Sequence, residues 1–112
     1  MTSKFFPERN TTFTALPNFS GVKIAVFITG RDTDTVSVCE LIIAPGIAIP
    51  IHAHEPQVDS IYIVSGNGEE YVNSEMLFLE TTSFPARGVE HATRNTGRET
   101  LVILVHHSPP LL

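Results

Sequence analysis

The sequence predicts an all-β fold, a small antiparallel β-barrel or double-stranded jelly roll with little or no helix. Seven glycines and eight prolines interrupt its 112 residues, so the uninterrupted segments are short. Between the interruptions lie segments rich in β-branched residues, which is typical of strands. Many short strands joined by turn sequences indicate a β-sandwich or a β-barrel. A chain of this length has room for one hydrophobic core, so we expect a single domain over residues 1–112.

Four segments carry the clearest strand pattern. In residues 22–29 an apolar set of side chains alternates with a second, fairly apolar set, which predicts a strand with both faces partly covered. The other three segments are similarly rich in β-branched residues: Ser37–Ile43, Asp59–Gly66 and Thr100–His107. Turn sequences separate them: GRDTD at 30–34, PG at 45–46, GNG at 66–68 and RNTG at 94–97. Residues 1–18 are expected to form an N-terminal strand or arm, with crossing to a partner subunit as one option.

The segment Glu69–Phe84 has two interpretations. It contains no glycine or proline, and Val72, Met76 and Leu79 have helical spacing. A hairpin that turns at Asn73–Ser74 explains the segment equally well. We favour the hairpin because strands are predicted on both sides of it.

Composition limits the partners of this chain. The formal net charge is −5 and the seven basic residues are scattered, which counts against nucleic acid or an anionic membrane as a partner. The N-terminal residues lack the apolar run of a signal peptide, and no segment approaches the roughly 20 apolar residues of a membrane span. We therefore expect a cytoplasmic protein. The single cysteine, Cys39, excludes an internal disulfide, and its apolar neighbours predict a buried thiol.

The sequence PIHAHEP at residues 50–56 places two histidines on either side of one alanine. Alternate side chains of a strand point to the same face, so His52 and His54 would have Cβ atoms about 7 Å apart. That distance allows both imidazoles to bind one metal ion, whereas on a helix the two would diverge. The plainer alternative is two polar side chains near the end of a strand.

Two further residues complete a possible ligand set. Asp59 opens the strand that follows the proline-containing segment 55–58, and His91 follows a Pro/Gly turn at the head of another expected strand. Three histidines and one carboxylate from two separated segments would suit a divalent transition metal. Taken alone, His91 is more often a hydrogen-bonded histidine at a strand end.

These residues resemble the two motifs of the cupins, a family of small β-barrel proteins. The first motif, over residues 46–66, is matched at every spacing, with aspartate in place of the family's glutamate: Gly46, His52, His54, Asp59 and Gly66. The second, over residues 85–95, is matched less closely: Pro85, Gly88, His91 and Asn95. One extra residue, at Ala86 or Arg87, lies between its proline and its glycine. Leu79-Glu80 stands where the family often has Gly-Asp.

The resemblance implies one divalent transition metal (Fe, Mn, Ni or Zn, with Cu a further member of the family's range) inside the barrel. Its ligands would be the residues at the family's positions: His52, His54, Asp59 and His91. Aspartate is one methylene shorter than glutamate, so the carboxylate would fall about 1.5 Å short unless the strand moves inward. A site of three histidines and water is the alternative, with Gln57 and Glu55 as nearby substitutes for Asp59.

The expected function is that of a metal-dependent enzyme acting on a small oxygen-bearing molecule in the barrel, by dioxygenation, isomerisation or decarboxylation. Ile61 and Ile63 are expected to make the inner wall apolar, and further candidates for that wall, or for plain barrel core, are Tyr71, Phe78 and Phe84. Candidate catalytic groups are the inward-facing member of the pair His106–His107, Arg87 and Tyr71.

Two other functions stay open at this point. One is a non-catalytic module that senses or carries a small molecule in a metal-dependent way. The other is a metal-free, epimerase-like cupin in which the histidines act as bases. A tetrahedral zinc ion saturated by all four groups would make the site structural instead. Single-barrel cupins are commonly homodimers, so a homodimer is expected.

Overall fold

A computed structural model describes residues 4, 11–17, 19–72, 75–79, 82–83 and 85–112, with the backbone alone for 75–79 and 82–83. These residues form nine strands: β1 (Thr14–Ala15), β2 (Val22–Ile28), β3 (Ser37–Ile43), β4 (Val58–Ser65), β5 (Gly68–Val72), β6 (Glu75–Leu79), β7 (Thr82–Ser83), β8 (His91–Asn95) and β9 (Leu101–Ser108). No helix occurs in this described part of the chain. It accordingly contains no helix long and apolar enough to cross a membrane.

The strands form two antiparallel sheets. The large sheet has the order β1-β2-β3-β9-β4-β7, and the small sheet has the order β6-β5-β8. β9 lies between β3 and β4, so the last strand of the chain separates two strands that precede it. This arrangement confirms the predicted all-β, antiparallel jelly roll.

Most predicted strands agree with the structure to within one residue. The prediction Ser37–Ile43 coincides with β3, and the helical interpretation of Glu69–Phe84 is wrong because β5 and β6 form an antiparallel pair. Val72 lies opposite Glu75 in that hairpin, while the predicted turn residues Asn73–Ser74 lie outside the described residues. The predicted arm 1–18 is described only in part, and its residues Thr14–Ala15 pair with β2.

The hydrophobic core lies on the inner face of the large sheet. Along β9 the buried side chains alternate with partly buried ones, as period-2 burial requires. Pairing of β3, β9 and β4 aligns buried and partly buried apolar side chains into rows across the sheet: Cys39–Val105–Ile61 and Leu41–Ile103–Ile63. Full burial of a large apolar side chain, such as that of Ile103, is worth about 1.5–3 kcal/mol. Cys39 is 2% exposed, which confirms the predicted buried thiol.

One row of the same inner face is polar. His107 of β9 lies between Ser37 of β3 and Asp59 of β4 in the backbone register. All three residues are buried. The register of the large sheet therefore brings a hydroxyl, an imidazole and a carboxylate together at one end of an otherwise apolar surface.

The segment before β4 runs along β8 without forming a regular strand. Ile49 N–H donates to the carbonyl of Thr93 (2.8 Å), and His52 and His91 exchange backbone hydrogen bonds (2.9 and 2.8 Å). Pro50 has no N–H to donate, and the pairing shifts by one residue between the bridges Ala48–Arg94 and His52–His91. The expected strand around the two histidines is thus replaced by isolated bridges that still fix His52 beside His91.

Candidate metal centre

Four side chains from three parts of the chain converge at the polar end of the barrel. They are His52 and His54 of the segment before β4, Asp59 of β4, and His91, the first residue of β8. One ligand atom from each lies within 4.8 Å of the others. His91 and Asp59 are buried, and His52 and His54 are half-buried. The four groups are therefore positioned to bind a metal.

Backbone carbonyls orient two of the imidazoles. Nδ1 of His52 lies 2.7 Å from the carbonyl oxygen of Pro50, and Nδ1 of His91 lies 3.0 Å from that of Val89. Because a carbonyl oxygen only accepts, each Nδ1 carries a hydrogen and donates it. This leaves Nε2 as the coordinating atom facing the cluster, which is the usual arrangement of metal-binding histidines.

The turn of the second motif supports His54. Gly88 N–H donates to the carbonyl of His54 (2.8 Å), and Val89 N–H donates to that of Ala86 (3.1 Å). Gly88 has a φ of +73°, a left-handed conformation that favours glycine. The extra residue of this motif is accommodated in the turn, and the turn holds the backbone of a candidate ligand.

The carboxylate of Asp59 reaches the histidines despite its shorter side chain. Its Oδ2 lies 2.9 Å from Nε2 of His91 and 3.5 Å from Nε2 of His54. Its Oδ1 is buried and has no hydrogen-bond partner within the described part of the chain. Because buried polar atoms are nearly always satisfied, this oxygen is an observation of the structure that fits a cation at this position.

The electrostatics of the cluster also fit a cation. Burial works to raise the pKa of Asp59, but the hydrogen bond from His91 and the neighbouring His107 and His54 outweigh it and hold the pKa below its usual value. Burial lowers the pKa of both His52 and His54, which favours the neutral imidazole that a metal requires. Burial works to lower the pKa of His91, but the hydrogen bond from its Nε2–H to Asp59 outweighs burial and raises the pKa, so a metal would have to displace this proton in order to bind Nε2.

His107 is a fifth group at the same site. Its Nε2 lies 3.7 Å from Oδ1 of Asp59, and its ring centroid lies 5.4 Å from that of His54. It is the inward-facing member of its pair, since His106 is half-buried on the other face of β9, opposite Val38. The sequence could not choose between two adjacent histidines, because the choice depends on which face of β9 is turned to the core.

Other candidates lie away from the cluster. Arg87 is exposed in the turn between Ala86 and Val89, and Tyr71 lines a separate depression together with Arg94. Glu55 is exposed, and the side-chain amide of Gln57 donates to the carbonyl of Pro110 (3.2 Å). The catalytic roles expected for Arg87 and Tyr71 stay predictions. The side chain of Phe78 and the whole of Phe84 lie outside the described residues.

The cluster opens into a cavity of about 520 Å³. Its walls include Ile61, as predicted, together with Leu41, Ile103 and Val105. Ile63 packs against the core instead of lining the cavity. The volume is in the range of pockets that hold small ligands.

Glu70 is a buried acid that the sequence interpretation did not identify. It is 1% exposed, and Thr93 donates a hydrogen bond of 2.5 Å to its Oε2. Its Oε1 is buried without a hydrogen-bond partner among the described residues, and burial raises the pKa of this carboxyl to about 7. The signal was present in the hairpin interpretation, which places Glu70 on the same face of its strand as Val72.

Comparison with known proteins identifies the family. The sequence profile of the Cupin domain matches residues 39–107, more than half of the chain. This chain belongs to the cupin family. Among curated proteins, none matches its sequence.

Solved structures share the fold of this cupin at low identity. A predicted oxalate decarboxylase from Thermotoga maritima superposes with a TM-score of 0.84 at 20% identity, over 95% of this chain and 99% of the other. The polyketide cyclase RemF from Streptomyces resistomycificus superposes with a TM-score of 0.78 at 18% identity, over 99% of this chain and 87% of the other. The cupin domain of an XRE family transcriptional regulator from Enterobacter cloacae superposes with a TM-score of 0.73 at 19% identity, over 81% of this chain and 99% of the other. At these identities the comparison supports a shared fold only. The activities in the names of these proteins are properties of those proteins.

Proposed function

We propose that this cupin is an enzyme that binds one divalent transition metal and converts a small oxygen-bearing molecule there. The metal would be held by the four clustered groups: His52, His54, His91 and Asp59. The observation that carries the proposal is the carboxylate of Asp59, which is 2% exposed and surrounded by imidazoles, and whose Oδ1 has no hydrogen-bond partner among the described residues. The donor set of imidazole and carboxylate without thiolate suits Fe(II), Mn(II), Ni(II) or Zn(II).

The bound metal would supply Lewis-acid chemistry toward an oxygen atom of the ligand. The chain supplies the remaining functions: orientation, exclusion of water and a hydrogen-bond donor. Side chains such as Ile103 and Val105 line the cavity beside the cluster and keep its interior apolar. An apolar surround strengthens every electrostatic interaction that the ligand makes with the cluster.

His107 is the best-placed hydrogen-bond donor to the ligand. Ser37 Oγ accepts hydrogen bonds from the N–H groups of Leu111 (3.0 Å) and Leu112 (3.3 Å), so its own hydrogen is available to Nδ1 of His107, 3.5 Å away. That assignment places the imidazole hydrogen on Nε2, on the side of Asp59. Burial lowers the pKa of His107, so the ring is neutral near neutral pH and presents one N–H to an oxygen of the ligand.

The structural neighbours support an enzyme, and one of them supports an alternative. Their names include a decarboxylase and a cyclase, which fits chemistry on small oxygen-bearing molecules. The neighbour from a transcriptional regulator favours the second candidate, a non-catalytic module that binds a small molecule and signals to a partner. A homodimer, a cytoplasmic location and the single-domain boundaries 1–112 stay predictions.

Metal analysis followed by a turnover assay tests the proposal. Protein purified without an affinity tag is expected to carry close to one iron, manganese, nickel or zinc ion per chain. Oxygen uptake or product formation with a panel of diketones and keto acids then separates the enzyme from the binding module. A chain that takes up no metal, but in which replacement of the histidines abolishes an epimerase activity, would support the metal-free alternative instead.

A further inference from the structure

The wall of the cavity indicates which chemical class of ligand it accepts, and this inference rests on the proposed function. The inner face of the large sheet is polar in only one of its described rows, Ser37–His107–Asp59. The rows beside it are apolar, and Cys39 and Leu41 contribute to the cavity wall. A ligand that binds at the histidines therefore places the rest of its body against hydrocarbon.

Among the described residues, the cavity wall offers no second site for a charged group. All six basic side chains in the described ranges are exposed: Lys4, Lys23, Arg31, Arg87, Arg94 and Arg98. None of these six lines the cavity. A ligand with a carboxylate at each end would bury the second one against apolar walls without a counter-charge, which is strongly unfavourable.

The segment that follows β9 completes the wall at the mouth of the cavity. Leu111 and Leu112 line the cavity but remain 42% and 40% exposed. Their backbone is held in place, because Ser37 Oγ accepts both N–H groups and Gly30 N–H donates to the carbonyl of Leu112 (2.8 Å). The two side chains are thus pre-positioned to lose their remaining exposed surface against an apolar ligand body.

We propose that the ligand of this cupin has one oxygen-bearing chelating head and an apolar body, and that Leu111 and Leu112 are the residues that select the body. The head binds at the histidine cluster, where His107 and Asp59 are the nearest polar groups. Compact dianions and polyols are disfavoured, because the lining beyond the cluster offers them little more than the hydroxyl of Thr93.

Titrations of the full chain loaded with cobalt(II) test the proposal without any turnover. The visible spectrum of cobalt reports binding of three probes: acetylacetone, 1-phenylbutane-1,3-dione and oxalate. After correction for each probe's affinity for free cobalt, the phenyl diketone is expected to bind at least about tenfold more tightly than acetylacetone. Oxalate is expected to gain least from the protein.

Variants locate the selectivity. Leu112→Ala is expected to weaken binding of the phenyl diketone about five- to tenfold and to change acetylacetone binding less than about twofold. Val64→Ala is the matched control, because Val64 is a 51% exposed side chain that does not line the cavity. Equal losses in the two variants, or oxalate binding as tightly as the phenyl diketone, would overturn the inference. Failure to take up cobalt at all is seen before any probe is added, and it overturns the metal site and this inference together.

Discussion

Two buried acids of this cupin sit in contrasting surroundings. Asp59 is 2% exposed and Glu70 is 1% exposed. Three imidazole Nε2 atoms lie within 4 Å of the Asp59 carboxylate, whereas Glu70 has a single described hydrogen bond, from Thr93. Burial works to raise the pKa of both groups, but the histidines hold that of Asp59 below its usual value while that of Glu70 rises to about 7.

The difference shows that burial alone does not create a cation site. Each acid has one oxygen without a hydrogen-bond partner in the described structure, yet only Asp59 is held in the charged form by its neighbours. The cause lies in strand register, which places His107 opposite Asp59 but Thr93 opposite Glu70. We therefore expect replacement of each carboxylate by an amide to have different effects: Asp59→Asn should weaken metal binding, and Glu70→Gln should change the pH dependence of stability.

The largest expected effect is on metal affinity. Asp59→Asn and Glu70→Gln both replace one carboxylate oxygen by an amide. Four ligands of a structural zinc site provide about 10–16 kcal/mol, or about 3 kcal/mol for each ligand, so the loss of Asp59 is expected to weaken metal binding by roughly 100- to 1000-fold. Glu70→Gln is expected to change it less than about threefold. Competition against a chromophoric chelator measures both, and similar losses in the two variants would contradict the assignment of Asp59 as a ligand.

The next effect is on stability, and it has a defined pH dependence. The pKa of Glu70 is raised in the folded protein, from 4.5 to about 7, so the folded state binds more protons than the unfolded state between these values. Stability is therefore lost as pH rises through this window, by at most about 3 kcal/mol. Glu70→Gln removes this loss.

Denaturant unfolding of metal-free wild type and Glu70→Gln at pH 5 and pH 8 measures the effect. The charged groups that act on Glu70 are His91, which lowers its pKa, and Asp59, which raises it. Both are present in the two proteins, so their own titration largely cancels in the difference. The variant is expected to gain stability at pH 8 and to differ little at pH 5; an equal change at both pH values would show that Glu70 is not the titrating group.

The sequence predicted the parts of the fold that local pattern controls. β3 was located correctly because its β-branched residues lie between clear turn sequences. The two-residue strands β1 and β7 carry no such pattern, and only their pairing with β2 and β4 makes them strands. The bridges of the segment 48–52 to β8 were likewise unpredictable, because Pro50 interrupts any regular alternation.

The same division applies to the site. Motif spacing predicted that His52, His54, Asp59 and His91 belong together, and the structure places them in one cluster. Strand register, which the sequence does not contain, decides that His107 rather than His106 faces the cavity. Glu70 was missed because its segment had both a helical and a hairpin interpretation, and only the hairpin orients it toward Thr93.

The adjacent histidines of β9 provide a matched pair for a smaller effect. His107→Gln removes an imidazole 3.7 Å from Oδ1 of Asp59, whereas His106→Gln changes a half-buried side chain on the other face. Groups that orient metal ligands are typically worth about 10- to 100-fold in affinity, and at this distance we expect about tenfold for His107→Gln. His106→Gln is expected to stay within twofold by the same chelator competition. A larger effect of His106→Gln would contradict the register of β9 described above, because it would mean that His106 and not His107 faces the cluster.

The smallest expected effect uses Cys39 to report the charge of Asp59. Burial raises the pKa of this thiol to about 12, and the negative charge of Asp59 adds to the increase. Cys39 lines the cavity, so a small alkylating reagent can approach it from there. In metal-free protein at pH 9, Asp59→Asn removes the negative charge and is expected to speed alkylation by iodoacetamide. The increase is expected to be only about two- to threefold, because burial, the larger cause of the raised pKa, is unchanged.

Glu70→Gln serves as the control and should leave the rate unaltered, since its carboxyl is not among the causes that act on Cys39. Equal acceleration in both variants would mean that loosened packing, and not the charge of Asp59, controls the thiol.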